Sequence, residues 1–68
     1  MIFHNFNSNV VREAVKRVGG PTKAAHAASV SNASIHNWIK QRRIKSIDKA
    51  KIIAKLSGFS VDELRGVL

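Results

Sequence analysis

The amino-acid sequence predicts an all-α fold, a small bundle of five short helices. Apolar residues recur at three- and four-residue spacing in successive segments, which is the periodicity of helices packed on one side. Between these segments stand glycine, proline and serine residues of the kinds that stop and start helices. The 68 residues, 44% of them hydrophobic, suffice for a single domain with a compact core.

The first helix shows this periodicity most clearly. Val10, Ala14 and Val18 recur at every fourth residue, a spacing that the two-residue period of a strand does not explain. The same reasoning locates four more helices. The five are expected at about residues 9–18, 22–28, 31–41 and 46–56, with a short last helix opening at 60–63. Residues 1–8 precede them as an N-terminal arm.

Capping residues mark where the helices begin and end. Ser and Asn side chains accept hydrogen bonds from the free N–H groups at a helix start, and Gly adopts the left-handed turn at a helix end. The expected starts are Ser8 or Asn7, Pro21, Ser31 or Asn32, Ser46, and the capping box from Ser60 to Glu63. The expected stops are Gly19-Gly20 and Ser57-Gly58.

Apolar side chains of the last three helices are assigned to the core. On the third helix, their spacing turns one side inward and leaves the polar side outward. The expected core anchors are Ile35, Trp38, Ile39, Ile47, Ile52, Ile53, Leu56, Val61 and Leu64. Phe3 and Phe6 are expected to pack on this core as well, although they would also suit a partner surface.

The charge balance points to a polyanionic partner. Twelve Lys and Arg oppose four Asp and Glu, a net charge of +8, which attracts nucleic acid, anionic membranes and acidic proteins alike. No apolar run approaches the ~20 residues of a membrane span, and the first residues lack the features of a signal peptide. The expectation is therefore a soluble, cytoplasmic protein.

Five residues around the second and third helices form a pattern that joins two helices across a tight turn. Ala25 is small enough for the helices to touch. Ser29, four residues later, stands where the turn requires a positive φ or an unusual bend, and Val30 fills the gap between the helices. Ile35 and Trp38, three residues apart, fix the third helix against the core.

This pattern resembles the helix-turn-helix of the lambda-repressor-like superfamily, particularly the phage Cro-type and related small transcription regulators. The resemblance rests on Thr22-Lys23, Ala25, Val30, residues 33–35 and Trp38, and it extends to the ending 58–64. It implies a repressor or other regulator that binds a double-stranded DNA operator, with helices 2 and 3 forming the helix-turn-helix.

The sequence departs from that superfamily at two positions. Ser29 occupies the turn position where the family most often has Gly, which adopts a positive φ without strain. Pro21 stands where the family often has Gln, so the phosphate contact of that Gln has no counterpart here.

If the third helix, about 31–41, lies in the major groove, its outward residues face the bases. Those residues are Ser31, Asn32, Ala33, His36 and Asn37. Phosphate contacts are then expected from residues around it, namely Thr22, Lys23, Lys40, Arg42, Arg43 and Lys45. Seven basic residues stand between positions 40 and 55, against the single acid Asp48. The alternative interpretation is an ordinary solvated surface.

Other functions fit the sequence less well. The spacing of His4, His26 and His36 matches no metal-ligand pattern, and with no cysteine no metal site is expected. The scattered acids offer no acid–base pair, so an enzyme is not expected, and neither is a cofactor or small-molecule ligand. The apolar face of the fourth helix is needed for the core rather than for a membrane.

Two alternatives to DNA binding stay open. A basic RNA-binding protein is one, although single-strand readers use exposed aromatic residues and Trp38 is assigned to packing. An antitoxin-like or adaptor module that binds another protein through the same fold is the other. The resemblance further implies a homodimer on a two-fold operator. Candidate dimer surfaces are the N-terminal arm and the last helix with Val67-Leu68.

Overall fold

The computed structural model of the protein describes residues 9–66 and contains five helices. They are α1 (Val10–Val18), α2 (Pro21–Ala28), α3 (Asn32–Gln41), α4 (Ile47–Ser57) and α5 (Val61–Arg65). The prediction of an all-α fold of five short helices is confirmed for this part of the chain, in which no strand occurs. The N-terminal arm with Phe3 and Phe6, and the proposed dimer residues Val67-Leu68, lie outside the described residues.

Local capping chemistry sets the helix starts. The side chains of Ser31, Ser46 and Ser60 each accept a hydrogen bond from the backbone N–H three residues later. Ser60 and Glu63 form the expected capping box, with the Glu63 carboxylate accepting from the Ser60 N–H at 3.0 Å. Pro21 is the first residue of α2, as predicted.

The expected cap of α1 was wrong by one or two residues. The capping residue is Asn9, which has an extended backbone and whose Oδ1 accepts from the Arg12 N–H at 3.2 Å. Its Nδ2 also donates to the Ile39 carbonyl at 2.8 Å. Asn9 therefore holds the start of α1 against α3.

The core forms around α4, which packs against α1, α2 and α5. Small residues face the neighbouring helices, so that the backbones approach closely. The buried apolar residues are Val11, Ala14, Val15, Ala24, Ala25, Ala28, Ile35, Ile44, Ala50, Ile53, Ala54 and Leu64. Trp38, Ile39, Ile52 and Val61 are half-buried.

Two of the expected core anchors on α4 are exposed. Ile47 is 45% and Leu56 52% exposed. The buried side of α4 is a stripe of residues 50, 53, 54 and 57, at the three- and four-residue spacing of one helix face. Leu56 falls outside this stripe, and Ile47, the first residue of the helix, lies at its edge.

The segment between α3 and α4 contributes a core residue that the sequence analysis did not assign. Ile44 is fully buried, and its N–H donates to the Leu64 carbonyl at 2.7 Å. The segment is thereby attached to α5, which fixes the positions of the basic residues on both sides of Ile44. None of the helices in residues 9–66 combines the length and the apolar character that crossing a membrane requires.

Candidate nucleic-acid interface

Helices α2 and α3 are joined by a tight turn of three residues, 29–31. Ser29 has φ 57° and ψ 46°, the left-handed conformation expected at this position. The Val30 N–H donates back to the Ala25 carbonyl at 2.9 Å, and Val30 is half-buried against the core. Ala25 is buried, so α3 packs directly on α2.

Burial divides α3 into two sides. Ile35 is fully buried, and Trp38 and Ile39 pack half-buried against the core. The opposite side consists of residues at positions 32, 33, 36, 37 and 40, all of which are exposed. Because these positions recur at one-turn spacing, their side chains share one face. We refer to Asn32, Ala33, His36 and Asn37 as the outer face of α3.

The polar side chains of the outer face are available for a partner. Among residues 9–66, no intramolecular hydrogen bond engages the side chain of Asn32, His36 or Asn37. Ser31 differs from them, because its Oγ accepts from the Ser34 N–H and lies 3.2 Å from the Ser34 Oγ. A contact from Ser31 to a base would therefore compete with its capping role.

Basic residues surround the outer face. Lys40 stands in the last turn of α3, and Arg42 ends the helix in a left-handed conformation with φ 62°. Arg43 and Lys45 flank the buried Ile44 and are both exposed. Further along, Lys51 and Lys55 are exposed on α4, whereas Lys49 is half-buried.

These cations contrast with the basic residues of α1. Lys16 lies 3.9 Å from the Glu13 carboxylate, the one ion pair within residues 9–66. The Arg17 guanidinium lies 4.4 Å from the centre of the Phe59 ring and donates to the Ser57 carbonyl. Of the basic residues of α1, only the exposed Arg12 has no such partner, whereas none of Lys40, Arg42, Arg43 and Lys45 pairs with an acid within residues 9–66.

The start of α2 offers a second set of hydrogen-bond donors. Gly20 caps this helix without a side-chain acceptor, and its first turn contains no acid. Thr22 and Lys23 are exposed there, beside backbone N–H groups that favour an anion. The residue at position 19 has to be Gly for Lys23 to keep this position. Its φ of 123° is unfavourable for a residue with a Cβ, and a Cβ there would lie 2.6 Å from Lys23 Cδ.

The sequence analysis missed two features of this region. The left-handed conformation of Arg42 could not be predicted from the sequence, because Arg is not a residue type that favours positive φ. Arg65 of α5 lines an open cavity together with Arg43 and Lys45. No spacing rule relates residue 65 to residues 43 and 45, since their proximity depends on the hydrogen bond between Ile44 and Leu64.

Within the described part of the chain, no three His, Asp or Glu side chains lie close enough together to hold a metal ion. His4 lies outside that part. Comparison of the chain with models of protein families, with curated proteins and with solved structures finds no match.

Proposed function

We propose that this protein is a sequence-specific, double-stranded DNA-binding transcription regulator. In this proposal α2 and α3 form a helix-turn-helix of the lambda-repressor-like type, and α3 lies in the major groove. The observation that carries the proposal is the exposed outer face of α3, whose amide and imidazole groups have no partner within residues 9–66 and stand next to cations that also lack one.

The chemistry of the outer face suits the edges of base pairs. Asn32 and Asn37 each present an amide that pairs with both N6 and N7 of adenine. His36 can donate to guanine N7 or to a phosphate, and the Ala33 methyl group suits the methyl group of thymine. Ser31 would add a hydroxyl contact at the start of the helix. The outer face contains no Asp or Glu, so it carries no negative charge that would repel the phosphates of DNA.

The surrounding cations fit the role of positioning contacts. In the proposal, the phosphate-contacting residues are Thr22, Lys23, Lys40, Arg42, Arg43 and Lys45, all exposed. Thr22 and Lys23 would contact one strand from the start of α2, while the residues after α3 contact the backbone at its other end. Such contacts set the orientation of α3 but carry no sequence information themselves.

We further propose that the protein binds its operator as a homodimer. One ten-residue helix reads only a few base pairs, so a single copy offers little discrimination against the many competing sites of a genome. Two copies related by a two-fold axis would read two half-sites about one helical turn apart. An operator with inverted symmetry is the expected consequence.

Selection of bound sequences from a random duplex pool tests both parts of this proposal. Enrichment of an inverted repeat supports a sequence-specific dimer, and enrichment of one short motif supports a monomeric reader. A parallel pool of single-stranded RNA is the control. Equal or better retention of that RNA would indicate an RNA-binding protein instead. Retention of neither pool at low salt would contradict nucleic-acid binding and favour a protein-interaction module.

A further inference from the structure

An open cavity of about 230 Å³ lies between α5 and the segment that joins α3 to α4. It is lined by Arg43, Ile44, Lys45 and Arg65. Its volume is several times the ~30 Å³ that a water molecule occupies in the liquid. We refer to Arg43, Lys45 and Arg65 as the basic pocket. None of the three belongs to the outer face of α3, but Arg43 and Lys45 are also phosphate-contacting residues of the proposed function, to which the cavity adds Arg65.

The packing of two core residues assembles the basic pocket. Ile44 and Leu64 are both fully buried, and the backbone hydrogen bond of 2.7 Å between them joins the two segments. Because Ile44 points inward, the neighbouring Arg43 and Lys45 remain at the surface. They line the same cavity as Arg65, which follows Leu64. The core therefore fixes the backbone positions from which these basic side chains extend.

The end of α5 also packs closely on this segment. Gly66 has φ 75°, and a Cβ there would lie 3.4 Å from Arg43 Cβ. The close approach of the two segments restricts where the stem of Arg43 can go. Arg43 therefore lies beside the end of α5, and it lines the same cavity as Arg65.

Arg65 supplies an unsatisfied donor. Its Nε is buried and has no hydrogen-bond partner among residues 9–66. A guanidinium can only donate hydrogen bonds, and a buried donor left unpaired opposes folding. No acid forms an ion pair with any member of the basic pocket within the same residues. The cavity itself is open to solvent, and an anion bound in it would reduce the repulsion among the three cations.

We infer that the basic pocket binds a phosphate group. Tetrahedral phosphate presents acceptor oxygens in several directions, which suits cations that approach from two segments of the chain. Arg forms paired, charge-assisted hydrogen bonds with phosphate, and Lys adds a compact charge. A planar carboxylate, with two oxygens and a single charge, would match fewer of these donors. The phosphate could belong to a nucleic-acid backbone or to a free phosphate or phosphomonoester.

Titration of the full chain with inorganic phosphate tests this inference. The Nε–Hε signal of Arg65 and the amides of residues 44 and 64 are followed by NMR, and sodium chloride of equal ionic strength is the reference. We expect a saturable shift with phosphate that chloride does not reproduce. Arg65→Lys keeps the charge but removes the guanidinium that forms paired hydrogen bonds with phosphate, and we expect about tenfold weaker phosphate binding.

Arg12→Lys is the matched control, the same change at an exposed residue of α1, and it is expected to leave phosphate binding unchanged. Absence of a saturable shift, or equal weakening by both Arg→Lys variants, would overturn the inference. If Arg65→Lys does not fold, as judged by circular dichroism, Lys45→Gln takes its place, because Lys45 is exposed. Unchanged phosphate affinity in Lys45→Gln would then count against the pocket.

Repeating the titration in the presence of saturating duplex DNA distinguishes the two sources of phosphate. Loss of phosphate binding would identify a backbone phosphodiester as the occupant, and retained binding would identify a free phosphate group. The first titration contains no DNA, so it tests the pocket independently of the proposed function. A chain that binds phosphate but no duplex would keep the basic pocket and refute the DNA proposal.

Discussion

At the scale of single residues, the side chains of the outer face of α3 make the most specific prediction. Asn37 is exposed, so Asn37→Ala removes an amide without disturbing the core. We expect the change to weaken binding to the selected operator by ~1–3 kcal/mol and to relax discrimination at one base pair. Fluorescence anisotropy with operators altered one base pair at a time measures both effects.

Asn9 provides a contrasting asparagine, since its amide is engaged within the protein. Asn9→Asp keeps the capping oxygen but loses the donor to the Ile39 carbonyl, so we expect it to lower stability and to leave base preference unchanged. If Asn37→Ala also left base preference unchanged, the proposed orientation of α3 would be wrong.

Ser29 carries a second prediction at this scale, because its φ of 57° is unfavourable for a residue with a Cβ. Left-handed backbone costs an L-residue ~1–2 kcal/mol, and glycine avoids this cost but gains freedom in the unfolded chain. The balance predicts that Ser29→Gly raises the free energy of unfolding by ~0.5–1 kcal/mol, as measured by urea denaturation.

Ser29→Ala is the control for the hydroxyl group. It keeps the Cβ, so we expect no stabilisation. Equal stabilisation by alanine and glycine would mean that the side chain of Ser29, rather than its backbone, is unfavourable in the folded state.

At the scale of elements, the segment between α3 and α4 acts as part of the core. Ile44 is fully buried, whereas Ile47, three residues later, is 45% exposed. Ile44→Val is therefore expected to lower the free energy of unfolding by ~0.5–1.5 kcal/mol. Ile47→Val, the matched change at an exposed site, is expected to stay within ~0.5 kcal/mol. Urea denaturation of both variants checks this prediction, and equal losses would contradict the assignment of Ile44 to the core.

At the same scale, the short α5 depends on its neighbours. Five residues are too few for a helix that is stable by itself. Its capping box, the burial of Leu64 and the hydrogen bond to Ile44 together hold it in place. Arg65 is the last residue of α5. Its position in the basic pocket therefore depends on these contacts.

At the scale of the whole molecule, the net charge of +8 predicts strongly salt-dependent binding. Five of the proposed phosphate-contacting residues are cations, for which counterion release predicts a slope of about −4 to −5 per protomer in a plot of log affinity against log salt concentration. Lys40→Gln is expected to reduce this slope by ~0.9 and to weaken binding to all duplexes alike. Anisotropy titrations at several salt concentrations measure the slope.

Lys16→Gln removes the same charge from an exposed site on α1, where Lys16 pairs with Glu13. We expect this variant to bind with an unchanged slope. A reduction of equal size in both variants would mean that the general field of the protein, rather than contacts near α3, attracts the DNA.

Features that arise between neighbouring residues could be predicted from the amino-acid sequence alone. Helix starts at Ser31, Ser46 and Ser60, the stop at Gly19 and the left-handed turn at Ser29 all follow from interactions within a few residues. The periodicity of α3 likewise predicted which of its sides is buried. These local rules were sufficient for the five helices and for the exposure of the candidate base-contacting residues.

Features that join distant segments depend instead on how the helices pack together. Asn9 reaches Ile39, thirty residues away, and Ile44 bonds to Leu64. The exposure of Leu56 and Ile47 depends on which stripe of α4 its neighbours cover. The basic pocket exists because the core turns Ile44 and Leu64 inward. Periodicity gives the faces of a helix, but the packing of other helices selects the face that is buried and the side chains that meet.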